Sequence, residues 1–362
     1  MMSKNRFYDS RLSYLSFVQN TNEKKIISKK VYPYIEKLPK KKVTRFLDAG
    51  IGDGTITSNI IKKFHDVHPN SLLLITGKEI SFEDVFNSLI KFPDRFVEHP
   101  KLAITLTNMK FAELGSMTPT NKNLPIIKKN IVLRGKNAYE FEQQLEKLDN
   151  FINKNWGFDI DDNGRTAYVR PCLINIYRED CKELIEKNIP KTHKKNEYDF
   201  ILASQAYRSR SLTKSKISNV IRPLACALKK NGTLLITHSV GNDSVTSILN
   251  DSFVKADLFP DDGRSILKFI NQNKSLNGNT YQFSKPKNYS YSFRKIPSEI
   301  VNQMSSSSLD SKISNLFYIG QLSNDEKNLI LDDQKKMNKL KKLILNQDRI
   351  IFNNEIFSIK KL

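Results

Sequence analysis

Between residues 43 and 55 the chain reads VTRFLDAGIGDGT, a short apolar run that ends at Asp48 and passes into glycines at 50, 52 and 54. Few local patterns restrict a fold as much. A strand that turns at once into a helix needs backbone angles and close approaches that glycine permits without strain. Apolar positions at helical spacing follow directly, over 56–64. Beyond them, compact apolar runs at 71–76, 102–106, 172–177, 199–203 and 232–238 alternate with helical spacing at 82–90, 137–153, 204–228 and from about Thr246. Continuous apolar strands alternating with helices argue for a parallel sheet covered on both faces. The runs 289–293 and 315–322 read as two more strands with no crossover helix between them, so the sheet is expected to end in an antiparallel pair. Helical spacing over 11–37 predicts one or two helices ahead of the sheet. Residues 325–345 read as a Lys-rich helix, 350–359 as a last extended piece, and 305–308, all serine, as a loop.

Composition sets outer bounds. The 362 residues are 39% hydrophobic and 10% aromatic, enough to bury a core, which excludes a disordered tail or a rod. Three cysteines (Cys172, Cys181, Cys226) without a CxxC pair exclude a disulfide scaffold and a cysteine-based zinc site, and the scattered histidines give no metal spacing. No apolar run reaches the roughly 18 residues of a membrane span, and the first residues lack an apolar signal segment. A cytoplasmic protein with reduced thiols and no membrane partner is expected. The formal charge of +21 comes mostly from lysine spread along the chain, without the concentrated basic and aromatic face that nucleic-acid binding uses. A nucleic-acid partner is therefore less favoured than a small molecule.

The glycines fall at i, i+2 and i+4, giving GxGxG and not the GxGxxG of a dinucleotide site, and Thr55 stands where that fingerprint has its third glycine. Asp48, two residues before Gly50, is awkward beside a pyrophosphate and useful beside a cation. An acidic residue followed by GxGxG after a strand resembles the S-adenosylmethionine loop of the class I (Rossmann-like) methyltransferases. The stretches 198–203 (YDFILA) and 222–236 (RPLACALKKNGTLLI) are similar to that family's fourth strand, following helix and fifth strand. The resemblance covers residues 43–322. It implies an α/β fold with a seven-stranded, mostly parallel sheet, helices on both faces and an antiparallel last strand. An N-terminal helical cap (1–42), an inserted lid region at about 100–170, and a C-terminal helix with an extended tail (323–362) would be added to it.

The resemblance also implies roles for residues. The cofactor would be S-adenosylmethionine, held by Asp48, Gly50, Gly52, Gly54 and Thr55. Glu79 at the end of the second strand would take the ribose hydroxyls, Asp180 the adenine amino group, and Ser204 would stand at the end of the fourth strand. About ninety residues separate Glu79 from the run at 172–177, so Asp180 depends on that run being the third strand. Tyr207 and His238, at strand ends, are the catalytic candidates. Arg208 and Arg210 suit an acidic group on the substrate, and Tyr14, with the helix at 137–153, would help close the pocket. The expected activity is in-line methyl transfer to a small, acidic metabolite. RNA methylation, or another use of the fold such as aminopropyl transfer, are the alternatives. The [DN]PP[YF] turn of amino-group nucleic-acid methyltransferases is absent, since the sequence there is SQAY (204–207).

Overall fold

The computed structural model describes residues 11–160, 166–251, 257–294, 306–347 and 349–362. Among these residues are twelve strands: β1 (Val43–Asp48), β2 (Leu72–Lys78), β3 (Leu102–Thr107), β4 (Ile127–Leu133), β5 (Phe158–Ile160), β6 (Thr166–Tyr168), β7 (Cys172–Arg178), β8 (Tyr198–Ser204), β9 (Leu228–Ser239), β10 (Tyr281–Phe283), β11 (Lys287–Ser292) and β12 (Ile351–Lys361). Apart from the small β5–β6 hairpin they form one sheet in the order β10-β12-β9-β8-β1-β2-β3-β7-β4, with β11 also paired to β12. The middle five, β3-β2-β1-β8-β9, are parallel. Because the chain leaves β1 toward β2 on one side and reaches β8 on the other, a crevice opens at the carboxyl ends of β1 and β8, the place where open α/β sheets bind ligands.

The sheet is doubly wound, as expected, and its core is apolar on both faces. β3 is buried along its whole length, as are all but the last residues of β2, β7 and β8. On one face Ile60, Ile61 and Phe64 of helix α3 (Thr55–Val67) pack with Ile27, Val31 and Ile35 of helix α2 (Glu23–Glu36). On the other, Ile217, Ile221 and Leu224 pack with Ile266 and Ile270.

Three strand expectations are corrected. The third parallel strand is 102–107; the run at 172–178 lies antiparallel to it as β7, carrying β4 at its outer edge. Residues 315–319 are not a strand but the end of a helix, Ser306–Ile319, which begins within the serines read as a loop. A short run apolar on all sides suits a buried helix as well as a strand, and here Leu316 and Phe317 are enclosed by Phe17, Phe352 and the helix Gln334–Leu345. The antiparallel strand is instead β12, from the expected extended tail, inserted between β9 and the β10–β11 edge. The Lys-rich helix is two, Asn324–Leu331 and Gln334–Leu345, with Asp333 capping the second. Among the described residues no helix is long and apolar enough to cross a membrane.

Candidate functional site

The glycine turn is held from within. Ile51 N–H donates to the Lys78 carbonyl (3.0 Å), Gly52 N–H to Glu79 Oε2 (3.0 Å), and Gly54 N–H to the Ile51 carbonyl (3.0 Å). Gly50 N–H reaches Asp48 Oδ1 at 3.3 Å. Gly52 and Gly54 have φ of +52° and +76°, the left-handed region where a side chain is strained. A Cβ on Gly52 would stand 2.7 Å from the Tyr14 hydroxyl, and one on Gly54 would stand 2.8 Å from Ser88 Cβ. The loop therefore presents no open row of amides for a pyrophosphate.

Asp48 is an internal brace. Its Oδ2 accepts from Thr57 Oγ1 (2.5 Å), it is 1% exposed, and burial pushes its carboxyl up to about 6 against the hydrogen bonds of Thr57 and Gly50. Thr55 donates its hydroxyl to Asp53 (2.6 Å), and Lys91 clamps Asp53 from the other side (2.9 Å). Burial favours the neutral form of Asp53, but Lys24, Thr55 and Lys91 outweigh it and hold the carboxyl below the usual range. Asp48, Gly54 and Thr55 thus shape the loop from behind and do not line the pocket in front of it.

That pocket, about 830 Å³, lies over the carboxyl ends of β1, β2, β8 and β9. Gly50, Gly52, Glu79, Ser204, Tyr207, Arg208, Arg210 and Tyr14 all line it. Glu79 accepts from Gly52, and its Oε1 accepts from Ile80 and Ser81 N–H (2.8 and 3.0 Å). Three bonds leave one of the roughly four acceptor positions of a carboxylate. From behind, Trp156 Nε1 donates to the Glu79 carbonyl (3.2 Å), so the insertion buttresses this residue.

Other expectations are corrected. Asp180 follows β7, whose antiparallel course delivers it to the end of the sheet opposite the glycine loop; there it pairs with Arg178 (2.5 Å). His238 is 2% exposed, sits between the Tyr207 and Phe357 rings with Nε2 3.7 Å from Glu355, and does not reach the pocket. Successive strand residues face opposite ways, so Ser239 takes the pocket side instead. Arg210 is already engaged: it forms a bidentate pair with Glu326 (2.7 and 2.8 Å), which holds the Glu326 carboxyl down at about 2. The helix at 137–153 packs beside β4 and β7 and does not close the pocket; of the region 100–170, Phe111 and Thr166 reach it. The cover comes from helix α1 (Arg11–Asn20) and from residues 317–327.

The structure adds residues that the sequence did not single out. Glu23, Lys24, Lys78, Phe111 and Gln205 line the pocket. Lys24 lies over the Tyr14 ring (5.7 Å) with Nζ near Gly52. Burial disfavours its charge, but Tyr14, Asp53 and Glu23 outweigh that and raise it. Gln205, at φ +51°, donates its side-chain amide to Glu23 Oε1 (3.3 Å) and Ser239 Oγ (3.2 Å). Nothing in the order of residues marks Glu23-Lys24, because they come to the loop through helix packing. The described lining carries as many carboxylates (Glu23, Glu79, Asp84, Asp325, Glu326) as cations (Lys24, Lys78, Arg208, Arg210, Lys327), so the +21 is not focused here. Among the described residues no group of His, Cys, Asp and Glu could hold a metal ion.

No protein-family model and no curated protein matches the chain. Solved structures similar to it include the YcgJ protein from Bacillus subtilis (11% identity, 91% of this chain and 96% of that one, TM-score 0.35). Another is phosphoethanolamine N-methyltransferase 2 from Haemonchus contortus in complex with S-adenosyl-L-methionine (12% identity, 89% and 49%, TM-score 0.29). A third is precorrin-6y C5,15-methyltransferase from Geobacter metallireducens (7% identity, 92% and 87%, TM-score 0.28). Likenesses of this size add nothing to the reading of the site, which stands on its own geometry.

Proposed function

We propose that the chain is an S-adenosylmethionine-dependent methyltransferase acting on a small molecule. The observation that carries the reading is Glu79, fixed at the end of β2 by Gly52, Ile80 and Ser81 and lining a pocket of about 830 Å³. A pyrophosphate is disfavoured by a loop whose amides are already bonded. A ribose without phosphates suits it, because vicinal hydroxyl donors match one carboxylate. The pocket volume falls in the range that small ligands fill.

When bound, S-adenosylmethionine supplies an electrophilic methyl group on a sulfonium. Glu79 would accept from its ribose, and Lys24, beside Gly52, would meet its carboxylate. Ile80 and Phe111, following β2 and β3, supply apolar wall for its base. Ser204, Gln205 and Ser239, at the ends of β8 and β9, line the acceptor's side. The cover formed by α1 and residues 317–327 would exclude water, and positioning supplies much of the rate in a displacement of this kind.

Calorimetric titration with S-adenosylhomocysteine is the direct test, followed by mass spectrometry for methylated products in a metabolite extract. Binding in the micromolar range is expected. No heat up to about 1 mM would sink the proposal.

A further inference from the structure

The far side of the pocket holds a carboxylate that the roles above do not use. Glu23 opens helix α2, lines the pocket and is 5% exposed, yet among the described residues it makes no ion pair. Its partners are neutral amides: Gln205, whose left-handed backbone is held by its N–H on the Thr237 carbonyl (2.9 Å), and Asn354. Burial raises the Glu23 carboxyl more than Lys24 and these amides lower it, so its negative charge is under-compensated as it stands.

Aromatic side chains also line the pocket. Phe17, Tyr207, Tyr291, Phe317 and Tyr318 line the same cavity, and ring faces attract cations. The Tyr207 hydroxyl is buried and has no hydrogen-bond partner among the described residues. Arg210, which would have favoured an anion, is taken by Glu326.

We propose that this side of the pocket is a subsite for a substrate amine, with Glu23 accepting from its N–H and the aromatic walls enclosing its cationic end. The inference rests on the methyltransferase reading only for calling the amine the substrate. The subsite itself stands on the cavity, the carboxylate and the rings. A charged amine supplies the counter-charge that Gln205 and Asn354 do not. A carboxylate ligand would add a second negative charge beside Glu23, at a large desolvation cost.

The test uses pairs of probes that differ at the charged end: tyramine against 3-(4-hydroxyphenyl)propionate, and octylamine against octanoate. Binding is measured by calorimetry on the full chain, with and without saturating S-adenosylhomocysteine. At least one amine is expected to bind about tenfold or more tightly than its acid. Glu23→Gln should weaken that amine at least about tenfold while S-adenosylhomocysteine affinity stays within about twofold. Circular dichroism of the variant checks that it folds, and Glu23→Asp, which keeps the charge, should recover part of the affinity. Acids binding as well as their amines, no amine binding, or an amine affinity indifferent to Glu23→Gln would each overturn the subsite. Loss of S-adenosylhomocysteine binding in the wild type, with amine selectivity intact, would overturn the cofactor reading alone.

Discussion

Asp48 gives the glycine turn a measurable signature. Its carboxyl rises from the ordinary 3.8 to about 6 because burial outweighs the bonds from Thr57 and Gly50. Folded protein therefore holds the proton more tightly than unfolded chain. Between about pH 4 and pH 6 the native state binds more protons, so this group's contribution to stability falls as pH rises, and above about pH 6 it is fully unfavourable. A gap of about two pH units, at about 1.36 kcal/mol each, is worth about 3 kcal/mol. Asn at this position cannot ionise. Its Oδ1 can still accept from Gly50, and its amide can donate to the Thr57 hydroxyl, which rotates to suit. Relative to wild type, Asp48→Asn should therefore gain about 3 kcal/mol on going from pH 4 to pH 8. Urea unfolding read by the single tryptophan, Trp156, 1% exposed in the fold, measures both proteins at each pH. The double difference cancels groups that titrate alike in the two. A change below about 0.5 kcal/mol between those pH values would show that Asp48 is not held ionised against its burial, and the brace would need another explanation.

Gly52→Ala should cost about 1–2 kcal/mol in urea unfolding from its positive φ alone. It should also weaken S-adenosylhomocysteine, because the new methyl displaces Tyr14; unchanged affinity would remove the loop from the binding surface. Glu79→Gln is expected to lower that affinity about tenfold or more, while Asp180→Asn leaves it within about twofold, and the reverse pattern by calorimetry would reinstate the family-based role of Asp180. Arg210→Ala should cost about 1 kcal/mol and speed proteolysis within 317–327, with Arg210→Lys restoring less than half, since a lysine cannot form the paired bonds to Glu326. Equal protease sensitivity in all three proteins would mean that this pair does not fasten the cover.

The glycine turn, the first two strands and the carboxylate after the second were readable in sequence because each is local: a strand end that passes at once into a turn or a carboxylate. What was not readable came from pairing at a distance. The runs 102–107 and 172–178 look alike as sequence, and only their relative direction decides that Asp180 lies at the wrong end of the sheet. NLFYIGQL (315–322) has a strand's composition, but its first half is helical because it is buried on every side. His238 was at the expected strand end but on the wrong face, a matter of one residue in register. Glu23 and Lys24 carry no motif, and the packing of α2 on α3 brings them to the loop.

The position of β12 has a consequence for how the molecule is made. Residues 351–361 lie between β9 and the β10–β11 edge, so they join partners synthesised 59 or more residues earlier. Until that segment leaves the ribosome, β9 offers an unpaired edge, and β11 lacks its strand partner. The crevice side of the sheet can begin to form as the chain emerges, while the side that carries Asn354 and the floor beneath Tyr289 must wait. Such a molecule would spend part of its synthesis half-closed, with a sticky seam that chaperones could cover, and a ribosome stalled before Ile351 would leave a product prone to clump rather than a shorter working protein.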